Sequence, residues 1–578
     1  MKSNFKIYRS SAGSGKTHAL AYKYVFLSLQ LHENQFRVDY YKKILAITFT
    51  NKAVSEMKDR ILAFLFSLSQ KKDEYGLLKN LQEDSQLDEE VIYSRSSQVY
   101  SHILHNYSSF SISTIDTFTY RIVKTFSYDL GLAFNFDLVM DDDQIINPVV
   151  NSLLSNASKT EKKISNVLVN FTLEKVKLGK SIDIEGDLQE FSKQLFKEDL
   201  IKYLDNKTLD IDQFDTVNKY IQNNKKITEG KIKILSDEVK VYMKTHSLEE
   251  NYFINGTFYN HFVKNLSQSD DKKWMPTISL KKNIDNDIWY PKSRAEEIKC
   301  KIDSSKKDLI IFYNNLIKLL CEYNSYKAIS NNIFSIALIN ELIKHLNVFK
   351  KKNNIEHISS FNKKIHEIVS NQNALYIYER LGERYSHFLI DEFQDTSVLQ
   401  WQNLLPLITD SIDYGESIIV GDGKQSIYRW RGGEVEQFLK LPDIHQSENL
   451  SFSNEWKTKL EYHYCANNLD VNYRSKQEIV QFNNLFFEKL KPLLSTELSN
   501  IYDGHDQYCN DSELGGYVRI ELFSDDDHNY KDLILERIYL EINKLINIYN
   551  YSLSDICILC NSKKTVGLVA KFLSFKSI

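Results

Sequence analysis

Residues Phe5–Val25 read FKIYRSSAGSGKTHALAYKYV. A short apolar run is followed by a Gly/Ser-rich turn and then by a helix-forming stretch. Gly13, Ser14 and Gly15 are small enough for backbone N–H groups to turn inward around phosphate oxygens. Lys16 adds a mobile positive charge and Thr17 a hydroxyl for Mg²⁺, and the helix that starts there aims its dipole at the anion. Ser10, Ser11 and Ala12 complete the loop. Ser10 stands where the strict G-x-x-x-x-G-K-[ST] pattern has its first glycine. The bland reading is a Gly/Ser turn before a helix; GSGKT straight after a strand favours phosphate.

A phosphate loop of this kind needs a carboxylate at the end of a buried strand. HFLIDEFQDT (His387–Thr396) supplies one. Asp391 can hold Mg²⁺ through water, and Glu392 can orient or deprotonate an attacking water. The 375 positions between Lys16 and Asp391 exceed what a compact nucleotide-binding core needs, so a large insertion is expected between them.

A third strand, SIIVGD, leads into GKQSIYRWRGGE. Gln425 is placed to report a terminal phosphate by hydrogen bonding. Tyr428, Arg429, Trp430 and Arg431 alternate aromatics with guanidiniums, which suits a single-stranded nucleic acid whose bases stack while its phosphates pair. A core role for Trp430 is the alternative; the flanking arginines and following glycines favour a functional loop. In TFTNKAVSEM, Phe49, Asn51 and Lys52 can contact a base and a phosphate or simply open a helix. Thr114 and Asp116 in STIDTF are equally ambiguous. Tyr473 and Arg474 in LDVNYRS carry little meaning alone. CILC (Cys557, Cys560) is a single CxxC in an apolar strand pattern and reads as small hydrophobes rather than a metal site.

The 578 residues suggest three or four domains. Hydrophobic residues at 42% and charged residues at 26% indicate globular material with large cores. No apolar run approaches the roughly 20 residues of a membrane span. The phosphate loop begins too early for a signal peptide, and the six scattered cysteines fit a reducing cytoplasm. The net charge of −4 neither suggests nor excludes a nucleic-acid partner. ILAIT (Ile44–Thr48) reads as a buried strand and NKAVSEMKDRILAFLFSL as an amphipathic helix, the βαβα alternation of a parallel sheet. From about 141 to 375 the pattern is polar and helical. There KLGKSIDIEGDLQEF and LKKNIDNDIWYPKSR look irregular, and Lys350–Lys352 reads as a solvated face. A further strand is expected at DICILC (Asp555–Cys560).

Taken in order, these segments resemble the superfamily-one DNA helicases of the UvrD/Rep type, closest to the RecB and AddA branch. SSAGSGKT resembles motif I, ILAITFTNKAVSEMKDRI motif Ia and STIDTFTYRIV the motif after it. HFLIDEFQDTSVLQW resembles motif II, SIIVGDGKQSIYRWRGGE motif III and NYRS motif IV. The resemblance implies an α/β fold. A RecA-like domain is expected in two parts (1–140 and 376–465), with a helical insertion at 141–375 and the start of a second RecA-like domain at 466–578. It also implies ATP and Mg²⁺ as cofactors, single-stranded DNA or duplex ends as partner, and 3′-to-5′ movement in DNA repair or recombination. Lys16 is implied to hold the β- and γ-phosphates, Thr17 and Asp391 Mg²⁺, and Glu392 the water. Gln425 and Arg474 are implied γ-phosphate sensors, with Tyr473 against the adenine. Phe49 and Trp430 are implied base contacts, and Arg431 a coupling residue. Three departures stand out. Only MKSNFKIYR precedes the loop, nothing resembles motifs V and VI, and no nuclease segment is visible. The expectation is therefore an N-terminal portion of a larger helicase that binds ATP weakly and does not unwind DNA alone. A partner chain is a further possibility, and the alternative is a module that binds ATP and single strands without cycling.

Overall fold

The computed structural model describes residues 3–576 except 33, 128–129, 131, 133–134, 158–161, 178, 180, 199–212, 269, 371–383, 449, 451, 510–513 and 524–529. It divides into two units, Met1–Leu469 and Asp470–Ile578.

The first unit is built on a six-stranded, all-parallel sheet. Its strands, numbered along the chain, are β1 Phe5–Ser10, β2 Ile44–Thr48, β3 Ile112–Thr114, β4 His387–Ile390, β5 Ser417–Gly421 and β6 Tyr464–Leu469. Their spatial order is β6-β1-β5-β4-β2-β3. β2, β4 and β5 are buried along their whole length because both faces of the sheet are covered. Alternate residues point to opposite cores. Leu45, Ile47, Phe388 and Ile390 join one core, with Trp401, Leu405 and Phe361. Ile44, Ala46 and Leu389 join the other, with Tyr24, Ile61 and Phe64. Helices Lys16–Leu29 and Asn51–Ser69 cover this second face, and Ile115–Thr125 and Val398–Ser411 cover the first. The sheet and its helical insertion make the RecA-like α/β fold expected.

The chain leaves and re-enters this core through a neck. Asp137–Val139 pairs in parallel with Ile355–His357. Between them the described residues are helical, dominated by Phe214–Thr245 packed on Glu296–Ala337. Several local expectations need correction. Part of each stretch read as irregular is helical, Ile184–Ser192 and Ile278–Asp285, capped by the side chains of Asp183 and Thr277, while 181–183 and 286–294 are irregular as expected. Lys350 is not a solvated charge, since it pairs with Glu356 in the neck at 2.8 Å; Lys351 and Lys352 are exposed. The expected domain return at 376 lies outside the described residues. The boundary expected at 466 falls inside β6, which completes the first sheet by pairing with β1.

In the second unit, helices Tyr530–Asn547 and Lys563–Phe575 meet through Leu535, Ile542, Val569 and Leu573. DICILC is not a strand: a 3₁₀ turn covers Leu553–Asp555, and the rest has no hydrogen-bonded strand neighbour among the described residues. Ile556, Ile558 and Cys560 pack on the helices while Leu559 faces out. Alternation alone gives an extended chain, and pairing makes a strand. Among the described residues no helix is long and apolar enough to cross a membrane. No group of His, Cys, Asp and Glu among them could hold a metal by itself.

Candidate nucleotide and nucleic-acid site

The site forms where β1, β5 and β4 end side by side. Ser10 closes β1 rather than entering the loop, and its hydroxyl donates to the Gly421 carbonyl of β5 at 2.9 Å. A serine there ties the loop to its neighbour, which a glycine cannot do. Ser11 to Ser14 form a turn, with the Ser14 N–H donating to the Ser11 carbonyl at 3.3 Å; Ala12 lies exposed on it. Gly13 and Gly15 adopt φ of 82° and 81°, the left-handed region open to glycine. Gly15 then caps the helix Lys16–Leu29. The Ser14 hydroxyl is buried without a hydrogen-bond partner.

Lys16 Nζ donates to both carboxylate oxygens of Glu392 at 3.0 Å and to Gln425 Oε1 at 3.4 Å. Thr17 Oγ1 donates to Asp391 Oδ2 at 3.5 Å. Burial first, then the neighbouring Glu392, push the Asp391 carboxyl up to about 6, while Lys16 pulls the other way. Glu392 itself sits at φ 53°, a left-handed backbone that turns its carboxylate toward the loop. A nucleoside triphosphate with Mg²⁺ fits this donor set. Glycine-bent N–H groups and an orphan hydroxyl suit phosphate oxygens. A buried carboxyl beside a threonine hydroxyl suits a divalent cation, whose charge favours ionised carboxylate. Bound there, Mg²⁺ supplies charge neutralisation to the phosphates.

The segment after β5 carries the aromatic loop. Phe49, just past β2, lies 4.4 Å from the ring of Tyr428. Tyr428 lies 6.2 Å from Trp430. The Arg431 guanidinium is 5.9 Å from Phe49 and 5.5 Å from Trp430. Trp430 is 70% exposed, so it is not a core side chain. Asn51 and Lys52 are exposed at the start of their helix, with Lys52 facing Glu56 at 3.7 Å. The cap of that helix is Thr50. Thr114 is the cap of Ile115–Thr125, accepting from the Thr117 N–H at 3.2 Å. Asp116 is half-buried and accepts from Gln400 Nε2 at 3.0 Å. Burial raises its pKa, and Arg431 opposes that rise.

Tyr473 and Arg474 belong to the second unit. Asn472, paired to Cys509, accepts the N–H groups of Arg474 and Ser475 at 2.9 Å, leaving the Tyr473 ring exposed. Two residues of the first unit's network were not singled out in the sequence, Gln394 and Asp422. Both sit in quoted stretches just after apolar strands, and that position was the available signal.

A glycine-bent phosphate loop, with carboxylates at the ends of nearby parallel strands, defines a RecA-like P-loop protein. The chain belongs to the UvrD/REP helicase N-terminal domain family, which matches residues 2–446. It is 24% identical to the RecBCD enzyme subunit RecB of Borreliella burgdorferi, over 99% of this chain and 46% of that protein. It is 23% identical to an ATP-dependent helicase/nuclease subunit of Clostridium novyi, over 93% of this chain and 44% of that one. DNA helicase II of Haemophilus influenzae matches 17% of this chain and 13% of its own length at 33% identity. The chain thus spans less than half the length of the curated relatives first matched.

Proposed function

We propose that this chain is the ATP-binding, strand-gripping portion of a DNA helicase of repair or recombination, moving 3′ to 5′ along single-stranded DNA in the cytoplasm. The observation that carries this reading is the three-way contact of Lys16 with Glu392 and Gln425, where the segment after β5 that carries Gln425 also carries Tyr428 and Trp430, against Phe49 at the end of β2. In this reading Lys16 and the Ser11–Thr17 loop hold the β- and γ-phosphates, and Thr17 and Asp391 hold Mg²⁺. Glu392 orients the attacking water, and Gln425 senses the γ-phosphate. Phe49, Tyr428 and Trp430 stack on bases, while Asn51, Lys52, Thr114 and Arg431 contact the strand. The relatives named as subunits support a partner chain.

ATP hydrolysis with and without single-stranded DNA, beside Glu392→Gln, tests the proposal. Stimulation by DNA that is lost in the variant is expected. A chain that binds neither Mg²⁺·ATP nor single-stranded DNA overturns it.

A further inference from the structure

The contacts around Lys16 close into a ring. Lys16 Nζ donates to Glu392, as above. Gln394 Nε2 donates to Glu392 Oε2 at 2.6 Å. The Asp422 N–H donates to Gln394 Oε1 at 2.9 Å. Gln425 Nε2 donates to Asp422 Oδ2 at 2.7 Å, and Gln425 Oε1 returns to Lys16. Gln394 is fully buried and has no role in the reading above.

The chemistry of its two neighbours fixes its orientation. A carboxylate only accepts and a backbone N–H only donates. A flipped amide would face acceptor with acceptor and donor with donor. The bridge also needs room. A Cβ on Gly421 would meet Gln394 Oε1 at 2.9 Å, so glycine at the end of β5 lets the amide cross from one strand end to the next. Asp422, at the far side of the bridge, opens the loop that carries Gln425, Tyr428 and Trp430. The Asp422 carboxylate also holds the Lys424 N–H at 3.1 Å and the Lys424 ammonium at 2.8 Å. A shift of Glu392 therefore drags the start of this loop or leaves a buried amide unpaired. Phosphate oxygens at Lys16 compete with Glu392 for the same ammonium, and that competition supplies such a shift.

We propose that Gln394 is a positioning residue that bridges Glu392 to the loop starting at Asp422, making nucleotide at Lys16 and single-stranded DNA at the aromatic loop alter each other's binding. The inference rests on the functional reading above. It adds the residue through which the two sites communicate.

The test measures the affinity of the whole chain for dye-labelled oligothymidine, with and without Mg²⁺ and the non-hydrolysable imido analogue of ATP. Hydrolysis is not required. The wild-type Kd for DNA is expected to change by about five-fold or more with nucleotide, the lower end of ordinary coupling. Gln394→Met is expected to reduce that change to within about two-fold while each ligand alone binds as in wild type. Unchanged single-ligand affinities separate lost coupling from lost structure. Gln394→Glu keeps an acceptor for the Asp422 N–H but replaces the donor facing Glu392 with a second carboxylate. It is expected to lose coupling too, and it decides the matter if the Met variant does not fold. Coupling retained in either folded variant overturns the proposal, as does a wild type that binds both ligands independently. A wild type that binds neither ligand fails at the earlier step and removes the functional reading along with this one.

Discussion

Lys16 Nζ lies 3.0 Å from each carboxylate oxygen of Glu392, although the two residues stand 376 positions apart. The pair is sheltered rather than deeply buried, with the side chains 10% and 29% exposed. It places the one cation of the phosphate loop against a carboxylate just past the end of β4.

Lys16→Ala is expected to abolish ATP hydrolysis and to weaken Mg²⁺·ATP binding. Steady-state hydrolysis and titration with a fluorescent ATP analogue measure both effects. Hydrolysis at the wild-type rate would place the nucleotide elsewhere.

Two tryptophans should respond in opposite ways. Trp430→Ala removes a ring that is mostly exposed and is expected to weaken single-strand binding by about 1–3 kcal/mol, the usual worth of a base–aromatic stack, with melting unchanged. Trp401 is fully buried, edge-on to Phe393 at 4.9 Å. Trp401→Ala is expected to cost about 3–5 kcal/mol of stability through lost burial and the cavity left behind. Salt-dependent DNA titrations and thermal melts of both variants distinguish the roles. A melting loss for Trp430→Ala matching that for Trp401→Ala would contradict the exposed position of the ring.

Thr114 offers a direct comparison of capping with DNA contact. Its hydroxyl oxygen accepts the Thr117 N–H and also lies 2.8 Å from the Thr117 hydroxyl. Thr114→Ala is expected to cost about 1 kcal/mol of stability, the typical value of a helix cap. Thr114→Ser, which keeps the oxygen, should restore it. A loss of DNA affinity with no change in melting would assign the hydroxyl to the strand instead.

The share of stability that His387 contributes should fall in mild acid. His387 is buried at the start of β4, where its Nδ1 accepts the Glu416 N–H at 3.0 Å. Burial pulls its pKa down to about 4, against the opposing pull of Glu416. The folded chain therefore binds fewer protons than the unfolded chain between these pKa values. The stability contributed by neutral His387 is complete above about pH 6.5 and is lost as pH falls toward 4. Burial also holds His357 and His261 down to about 4, adding to the same trend. His387→Asn keeps an acceptor for the Glu416 N–H and removes the titration. Its melting temperature should drop less between pH 7 and pH 5 than that of wild type. Equal drops would assign the acid sensitivity to other groups.

The sequence by itself determined the pieces that are local. SSAGSGKT bends because glycines reach positive φ and the helix begins at Lys16; ILAIT, HFLI and SIIVG are strands because both of their faces are apolar. Carboxylates just beyond such strands, and arginines beside aromatics before two glycines, were legible as chemistry before any tertiary contact was known. Tertiary structure alone decided whatever depends on which strands become neighbours. β6 reads YCANNL, too polar to announce a place beside β1, yet it is the edge of the sheet because backbone pairing does not need apolar side chains. DICILC has the right alternation and pairs with no strand among the described residues. Setting β5 between β1 and β4 brings Gly421 under Ser10 and Asp422 against Gln394. No spacing along the chain encodes that closure, because hydrogen bonds between strand ends form only after the cores on both faces of the sheet have fixed the strand order. The same cores leave Trp401 enclosed and Trp430 in water, the position that the arginines beside Trp430 favour.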